Sequence, residues 1–357
     1  MKDLTPQFDF DDILIVPTVN SDISSRYKDI TLPEKLPLFT APMDTVVDKN
    51  NMRIFIKNKI NVCLPRTIGY YDFLSREILT GQTIDDNIFI SLGFQDIETE
   101  IHGNNFKIFP KNAHILIDVA NGHMTKILEY ATHIKKHRPD IIIMVGNIAN
   151  PDTYNWYAES QCVDYIRVGI GNGGGCLTTK QSGVGYPMAS LIHYTYKVKL
   201  RFKTSHPELK APAIIADGGM KDYSDIIKAL ALGADYVMIG SIFNKAIESC
   251  SPNYLYGIKI NPKLAKMLFK KGYPIKKYFR GMSTKEAQKA MGKTNFKTSE
   301  GVVRYRKVEY YLQGWVENFE HYLRNAMSYS DAKTLNDFIG KAEVCQITKN
   351  AYDRFNK

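Results

Sequence analysis

Eight short apolar runs constrain the fold of this chain more than any other feature of its sequence. Each run is largely apolar, as β-strands buried in a sheet are, and all but the last end in a small, polar or charged residue. Most are separated by stretches with apolar residues at helical spacing, such as Met124–Lys136 and Tyr223–Leu232, which predicts amphipathic helices. Continuous apolar strands that alternate with helices indicate a parallel sheet buried on both faces. The runs are residues 38–44, 60–66, 88–93, 114–122, 141–147, 165–171, 212–219 and 236–243.

Eight such units predict a (β/α)8 barrel, with an open doubly wound sheet as the alternative. In a barrel the chemistry lies at the C-terminal ends of the strands. The residues that fall at those ends are Met43, Arg66, Asp118, Asn147, Gly171, Asp217 and Ser241. We expect residues 1–357 to form one catalytic domain. Residues 251–312 have weak periodicity and predict an irregular flap, and residues 313–357 predict a C-terminal tail with a helix over Trp315–Asn325.

Composition narrows the class of protein. The chain has 47 Lys and Arg against 37 Asp and Glu, a net charge of +10, but the lysines are scattered, which is typical of a solvated surface rather than of a nucleic-acid site. No apolar run approaches the roughly 18 residues of a transmembrane helix, and the acidic N-terminal segment does not resemble a signal peptide. The five cysteines lie far apart without a C-x-x-C pair, which argues against a disulfide framework or a structural zinc site. We therefore expect a reduced, cytoplasmic protein.

The glycine-rich segment 168–179 is the most informative motif. Gly169, Gly171 and Gly174 formally satisfy G-x-G-x-x-G, but the segment follows the sixth strand, and the acid that a dinucleotide-binding motif needs about 20 residues later is missing. Five glycines in seven residues allow unusual backbone torsions that aim several amides or carbonyls at one point. Cys176 at the end of this loop is therefore a candidate covalent nucleophile at the barrel mouth. The other four cysteines are typical of small buried hydrophobic residues.

This loop resembles the catalytic loop G-x-G-x-x-C-x-T of the IMP dehydrogenase/GMP reductase family. Further matches to that family follow in order along nearly the whole chain. They are residues 10–14, 41–46, 118–122, 146–147, 215–219, 238–241, 280–283, 300–301 and 332–335. The resemblance implies a (β/α)8 barrel, a homotetramer and a purine nucleoside monophosphate as substrate.

The resemblance also implies residue roles. Cys176 would attack purine C2, while Thr178 and Glu300 would handle the proton of the leaving ammonia. Asp217 would bind the ribose hydroxyls. The other residues implied to bind the nucleotide, by cradling its phosphate or closing over its base, are Met43, Gly218, Gly219, Gly240, Ser241, Arg280, Gly281, Met282 and Ser283.

A nicotinamide cofactor and a potassium ion are implied in the same way. The residues that would contact NADPH are Arg66, Asp118, Val119, Ala120, Asn121, Gly171, Phe296 and Lys297. The backbone carbonyls of Gly171, Gly173 and Cys176 match a monovalent-cation site, where neutral carbonyls suit a large and weakly hydrated ion.

Two segments depart from the family pattern. Asn172-Gly173-Gly174 replaces Pro-Gly-Ser, so the serine hydroxyl often offered to the phosphate is absent, and the segment 64–67 lacks the histidines of both subfamilies.

Between the two activities, the sequence favours the reductase. Only 21 residues separate Arg66 from Ile88, which leaves no room for the regulatory domain of typical dehydrogenases. The 17 residues between Met282 and Glu300 contain neither Arg nor Tyr, whereas dehydrogenases use an Arg-Tyr pair there to activate water. The alternatives are an IMP dehydrogenase without the regulatory domain, a relative that acts on a deoxy or modified purine nucleotide, and a non-catalytic purine-nucleotide-binding barrel.

Overall fold

The computed structural model describes residues 5–79, 88–291 and 302–355. In these ranges the strands are β1 Ile13–Ile15, β2 Leu38–Thr40, β3 Val62–Leu64, β4 Ile88–Leu92, β5 His114–Asp118, β6 Ile142–Ile148, β7 Tyr165–Val168, β8 Ala213–Asp217, β9 Tyr236–Ile239, β10 Asn253–Leu255, β11 Ile258–Ile260, β12 Lys276–Arg280, β13 Val303–Lys307 and β14 Val344–Gln346. The α-helices are α1 Met52–Lys57, α2 Tyr70–Leu79, α3 Phe94–His102, α4 Thr125–His137, α5 Thr153–Ser160, α6 Thr178–Ser182, α7 Met188–Ser205, α8 Tyr223–Ala231, α9 Ser241–Asn244, α10 Pro262–Lys270, α11 Lys285–Ala290, α12 Leu312–Tyr329, α13 Leu335–Phe338 and α14 Lys349–Phe355.

Strands β2 to β9 form one eight-stranded parallel sheet in the order β2-β9-β8-β7-β6-β5-β4-β3. A parallel bridge between Phe39 and Asn61 brings the two edge strands together. There Asn61 accepts a hydrogen bond from Thr40 N at 2.9 Å and donates its own N–H to Leu38 O at 3.0 Å. Each of the eight predicted apolar runs coincides with one of these strands, and only β6 extends beyond its run, by one residue. The (β/α)8 prediction is therefore confirmed and the open sheet is excluded.

Alternation along each strand separates the barrel interior from the layer beneath the helices. On β7, Ile166 and Val168 pack outward into the main core, while Tyr165 and Arg167 point inward. The interior is filled by Phe39, Ala41, Cys63, Phe89, Leu116, Met144, Ile215 and Met238. Its N-terminal part is aromatic, with Phe39 packed edge-to-face on Phe89 at 5.5 Å. The charged residues Asp118, Arg167 and Asp217 lie at or next to the C-terminal ends of their strands.

A second, antiparallel sheet with the strand order β11-β10-β12-β13 follows the barrel. The prediction of an irregular segment over 251–312 is wrong for the described residues. The periodicity was weak because these strands are short and rich in Lys, Arg and Tyr, and some of these residues, such as Lys277 at 1% exposed, lie on the buried side. The sheet has one apolar face. That apolar face packs against α10 through Leu255, Ile260, Ile275 and Val308.

The C-terminal segment packs on the barrel. Helix α12 contains the predicted helix Trp315–Asn325 and extends it at both ends, and strand β14 pairs with β1 near the other terminus. Within the described ranges, no helix is long and apolar enough to cross a membrane.

Candidate active site

The loop after β7 places the Cys176 thiol beside the Thr178 hydroxyl. Gly171 has φ +85°, and a Cβ at this position would lie 1.8 Å from Thr179 Oγ1, so only glycine fits there. Cys176 donates its N–H to Gly173 O at 2.9 Å, and α6 begins two residues later. This turn puts Cys176 Sγ 3.1 Å from Thr178 Oγ1, and Cys176 is partly exposed. The structure thus brings together two of the three residues predicted to be catalytic.

The end of β8 lies directly against this loop. Asp217 Oδ2 accepts a hydrogen bond from Asn147 Nδ2 at 2.8 Å. Gly218 and Gly219 have φ +93° and +91°, and a Cβ on Gly218 would lie 3.0 Å from Gly173 N. A side chain at Gly218 would therefore push the cysteine loop away. The predicted nucleophile Cys176 therefore lies on the same side of the barrel mouth as Asp217, Gly218 and Gly219, which are predicted to bind the ribose and the phosphate.

An alternating chain of charges crosses the mouth below these loops. Arg167, whose side chain is 3% exposed, donates Nη2–H to Asp118 Oδ1 at 2.8 Å. Its Nη1 lies 3.7 Å from Asp217 Oδ2, and Arg66 Nε lies 3.3 Å from Asp118 Oδ2. Burial raises the pKa of Asp217, and Arg167 partly offsets that rise. Arg167 thus links the predicted cofactor residues Arg66 and Asp118 to the predicted ribose residue Asp217.

Sequence reasoning missed Arg167. The available signal was a charged residue at an inward position of an otherwise apolar strand, two residues before Gly169. Two carboxylates at the poorly solvated end of a barrel need a cation between them, and the topology supplies it from β7.

The predicted nucleotide residues of β2, β9 and β12 also lie together. Met43 Sδ lies 2.8 Å from the position that a Cβ on Gly240 would take, and Ser241 begins α9. Arg280 at the end of β12 forms an ion pair with Asp44, the residue after Met43. Gly281 donates its N–H to Val302 O at 3.2 Å. The predicted residues Met282 and Ser283 follow in a turn before α11.

The predicted cofactor residues after β5 lie on the other side of Arg167. Val119 O accepts the Asn147 N–H at 3.2 Å, and Ala120 and Asn121 are exposed. Glu300, Phe296 and Lys297, the remaining catalytic and cofactor predictions, lie outside the described residues.

The potassium site also stays a prediction. Gly171, Gly173 and Cys176 are in the same loop, and Gly173 O already accepts the Cys176 N–H. The described ranges contain no group of three or more His, Cys, Asp or Glu side chains placed to hold a metal ion.

Arg306 is a second residue that sequence reasoning missed. Its Nη2 lies 3.4 Å from the position of a Cβ on Gly174, and its guanidinium carbon lies 4.4 Å from the centre of the Phe279 ring. The arginine is far from the loop in sequence and reaches it only because β13 pairs with β12.

A barrel with a glycine-rich cysteine loop and an acidic side chain at the neighbouring strand end defines a class of enzymes, and comparison with known proteins identifies it. The family model described as "IMP dehydrogenase / GMP reductase domain" matches residues 110–354. A protein of Streptococcus pneumoniae (strain CGSP14) named GMP reductase is 28% identical over 340 residues, which cover 93% of this chain and 92% of that protein. A protein of Streptococcus suis (strain 05ZYH33) with the same name is 31% identical over 253 residues, covering 69% and 72%. The chain therefore belongs to the IMP dehydrogenase/GMP reductase family of oxidoreductases, as its motifs predicted.

Proposed function

We propose that this protein is a GMP reductase, which converts GMP, NADPH and two protons into IMP, ammonium and NADP+. The observation that carries the proposal is the 3.1 Å distance between Cys176 Sγ and Thr178 Oγ1 at the barrel mouth. A thiol beside a hydroxyl supplies a nucleophile together with a group that can pass a proton. The names of the two streptococcal relatives and the absence of Arg and Tyr between Met282 and Glu300 support the reductase over the dehydrogenase.

In this mechanism the thiolate of Cys176 attacks C2 of the guanine ring and forms a C–S bond. Thr178, acting with Glu300, delivers a proton to the 2-amino group, and the C2–N bond breaks to release ammonia. Reduction at C2 then breaks the C–S bond, which releases IMP and returns the Cys176 thiolate. The cysteine loop holds Cys176 and Thr178 beside each other, and such positioning of reacting groups can lower a barrier by about 7–11 kcal/mol.

The nucleotide is held by the loops that surround Cys176. Asp217, fixed by Asn147 and Arg167, accepts hydrogen bonds from the ribose hydroxyls. The amides of Gly218-Gly219 and Gly240-Ser241 cradle the 5′-phosphate, as loops after the seventh and eighth strands of such barrels commonly do. Met43 and the segment Arg280–Ser283 close over the base.

The opposite side of the mouth fits a nicotinamide dinucleotide. Arg66, 26% exposed beside Asp118, offers a cation to an anionic cofactor, and Ala120 and Asn121 offer exposed surface next to it. When bound, NADPH supplies the hydride for the reduction at C2. Val119, Phe296, Lys297 and Gly171 complete the proposed cofactor contacts. Potassium at the carbonyls of Gly171, Gly173 and Cys176 would hold the loop in its working conformation. The homotetramer stays a prediction that sedimentation tests.

The test is a pair of absorbance assays at 340 nm with purified protein and potassium. One cuvette holds GMP and NADPH, and the other holds IMP and NAD+. The proposal predicts a fall in absorbance in the first and no change in the second. A rise in the second with none in the first would identify an IMP dehydrogenase instead. Repeating the first assay with dGMP tests the deoxynucleotide alternative.

A further inference from the structure

Arg306 is a cation at the edge of the cysteine loop that the mechanism above does not use. Its guanidinium carbon lies over the Phe279 ring, 4.4 Å from the ring centre, which limits the movement of the group. Its Nη2 lies 3.4 Å from the Cβ position of Gly174. Within the described ranges no acidic side chain forms an ion pair with Arg306, and its buried Nε has no hydrogen-bond partner there. A buried donor of this kind carries a cost that a ligand acceptor would remove.

Gly175 and Gly281 allow the cysteine loop to pack closely against the end of β12. A Cβ on Gly175 would lie 3.2 Å from Gly281 Cα and from the Phe279 ring, so a larger residue would separate the loop from β12. Val302, just before β13, donates its N–H to Gly175 O at 3.1 Å. Because the start of β13 is tied to the loop in this way, Arg306 is held against Gly174.

The loop beside Arg306 has no side chain that could bind an anion strongly. Residues 172–175 are Asn-Gly-Gly-Gly, without a hydroxyl or a cation, and Asn172 Nδ2 already donates to Tyr186 O at 3.0 Å. Gly173, the neighbour of Gly174 in the chain, lies against Gly218: a Cβ on Gly218 would be 3.0 Å from Gly173 N. Gly174 and Gly173 therefore connect Arg306 to Gly218, whose amide is assigned to the phosphate.

We propose that Arg306 binds the 5′-phosphate of the purine nucleotide and supplies the charged contact that the cysteine loop itself lacks. This inference rests on the proposed function. A planar guanidinium held by an aromatic ring is well suited to a phosphate, because two of its N–H groups can bind two phosphate oxygens at once. Burial, followed by the neighbouring Arg304, lowers the pKa of Arg306, and an arginine remains charged in proteins despite such a shift.

The test compares the binding of GMP and guanosine by titration calorimetry. Arg306→Met keeps a side chain of similar length that can contact Phe279 but removes the charge and the N–H donors. We expect it to weaken GMP binding by about 10- to 100-fold, the effect of one charged hydrogen-bonding contact, while guanosine binding stays the same. Arg306→Lys should restore part of the loss. In turnover, Arg306→Met should raise the KM for GMP and leave kcat nearly unchanged.

Arg304→Met is the matched control, because Arg304 is on the same strand two residues away with an exposed side chain. It should leave the ratio of GMP to guanosine affinity unchanged. If Arg306→Met weakens GMP and guanosine equally, or weakens neither, the phosphate contact is wrong. The ratio of IMP to inosine affinity is measured in the same way. If the protein is a dehydrogenase rather than a reductase, this second ratio still tests the phosphate contact, so the two proposals can fail separately. A wild-type protein that binds none of these nucleotides would overturn both proposals.

Discussion

Replacement of Arg167 by methionine would leave two carboxylates facing each other inside the barrel mouth. The Arg167 side chain is 3% exposed, and Asp118 and Asp217 are 16% and 19% exposed. Removing one partner from a buried ion pair costs about 3–5 kcal/mol, because the remaining charge loses its compensation in a poorly solvated place. We therefore expect Arg167→Met to lower the free energy of unfolding by about this amount.

The control is an ion pair of equal length on the surface. Lys59 Nζ lies 2.8 Å from Glu320 Oε1, the same distance as Arg167 Nη2 from Asp118 Oδ1, but its side chains are 50% and 25% exposed. Because water screens an exposed pair, Glu320→Gln should cost only about 0–1 kcal/mol. The two variants should therefore differ in their cost to the free energy of unfolding because the ion pairs differ in exposure, not in length.

Urea unfolding followed by far-UV circular dichroism at pH 7 measures both effects. Adding Asp118→Asn to Arg167→Met should recover part of the loss, since it removes one of the two carboxylate charges that Arg167 neutralised. Arg167 does not compensate the buried carboxylates if Arg167→Met lowers the free energy of unfolding no more than Glu320→Gln. The same holds if the double variant is less stable than Arg167→Met alone.

Three further predictions concern the cysteine loop and the buried carboxyl group of Asp225. Gly171→Ala, which must displace Thr179, should reduce turnover about 100-fold by shifting the nucleophile. Gly183→Ala, at φ +72° with nothing within 4 Å, should cost about 1 kcal/mol in unfolding and keep turnover; equal activity of the two variants would contradict this. Thr178→Val should lower kcat by about 10²- to 10⁴-fold while calorimetry shows unchanged GMP binding, and an unchanged kcat would remove Thr178 from the proton path. Burial raises the pKa of Asp225 from 3.8 to about 6, so between these pH values the folded protein keeps a proton that the unfolded chain loses. The contribution of this group to stability therefore falls as the pH rises through that window, by up to about 3 kcal/mol. Asp225→Asn should gain stability relative to wild type by that amount between pH 4 and pH 7 in urea unfolding, and a difference independent of pH would contradict the assignment.

The barrel could be predicted from the sequence because parallel strands buried on both faces appear as continuous apolar runs. The strand ends could be predicted for the same reason, since the continuous apolar part of a run gives way to a polar residue such as Asp118 or Asp217. The resemblance then gave roles to residues that lie close together in the structure, including Cys176 and Thr178.

The antiparallel sheet and the two arginines could not be predicted in this way. Strands β12 and β13 have one exposed face, so their lysines and tyrosines obscure the alternation. Arg167 looks like one charge in an apolar run until the barrel brings Asp118 and Asp217 to it. Arg306 contacts Gly174 only through strand pairing over more than a hundred residues of chain. Glu300, Phe296 and Lys297 lie outside the described residues, so their roles stay predictions.

Covalent reduction at Cys176 is tested by the amount of ammonium released per NADPH oxidised in the presence of GMP, for the wild-type protein and for Cys176→Ala. We expect a one-to-one ratio for the wild type, and neither ammonium release nor NADPH oxidation for the variant, which should still bind GMP. Ammonium release or NADPH oxidation by Cys176→Ala at the wild-type rate would contradict a covalent reduction at Cys176.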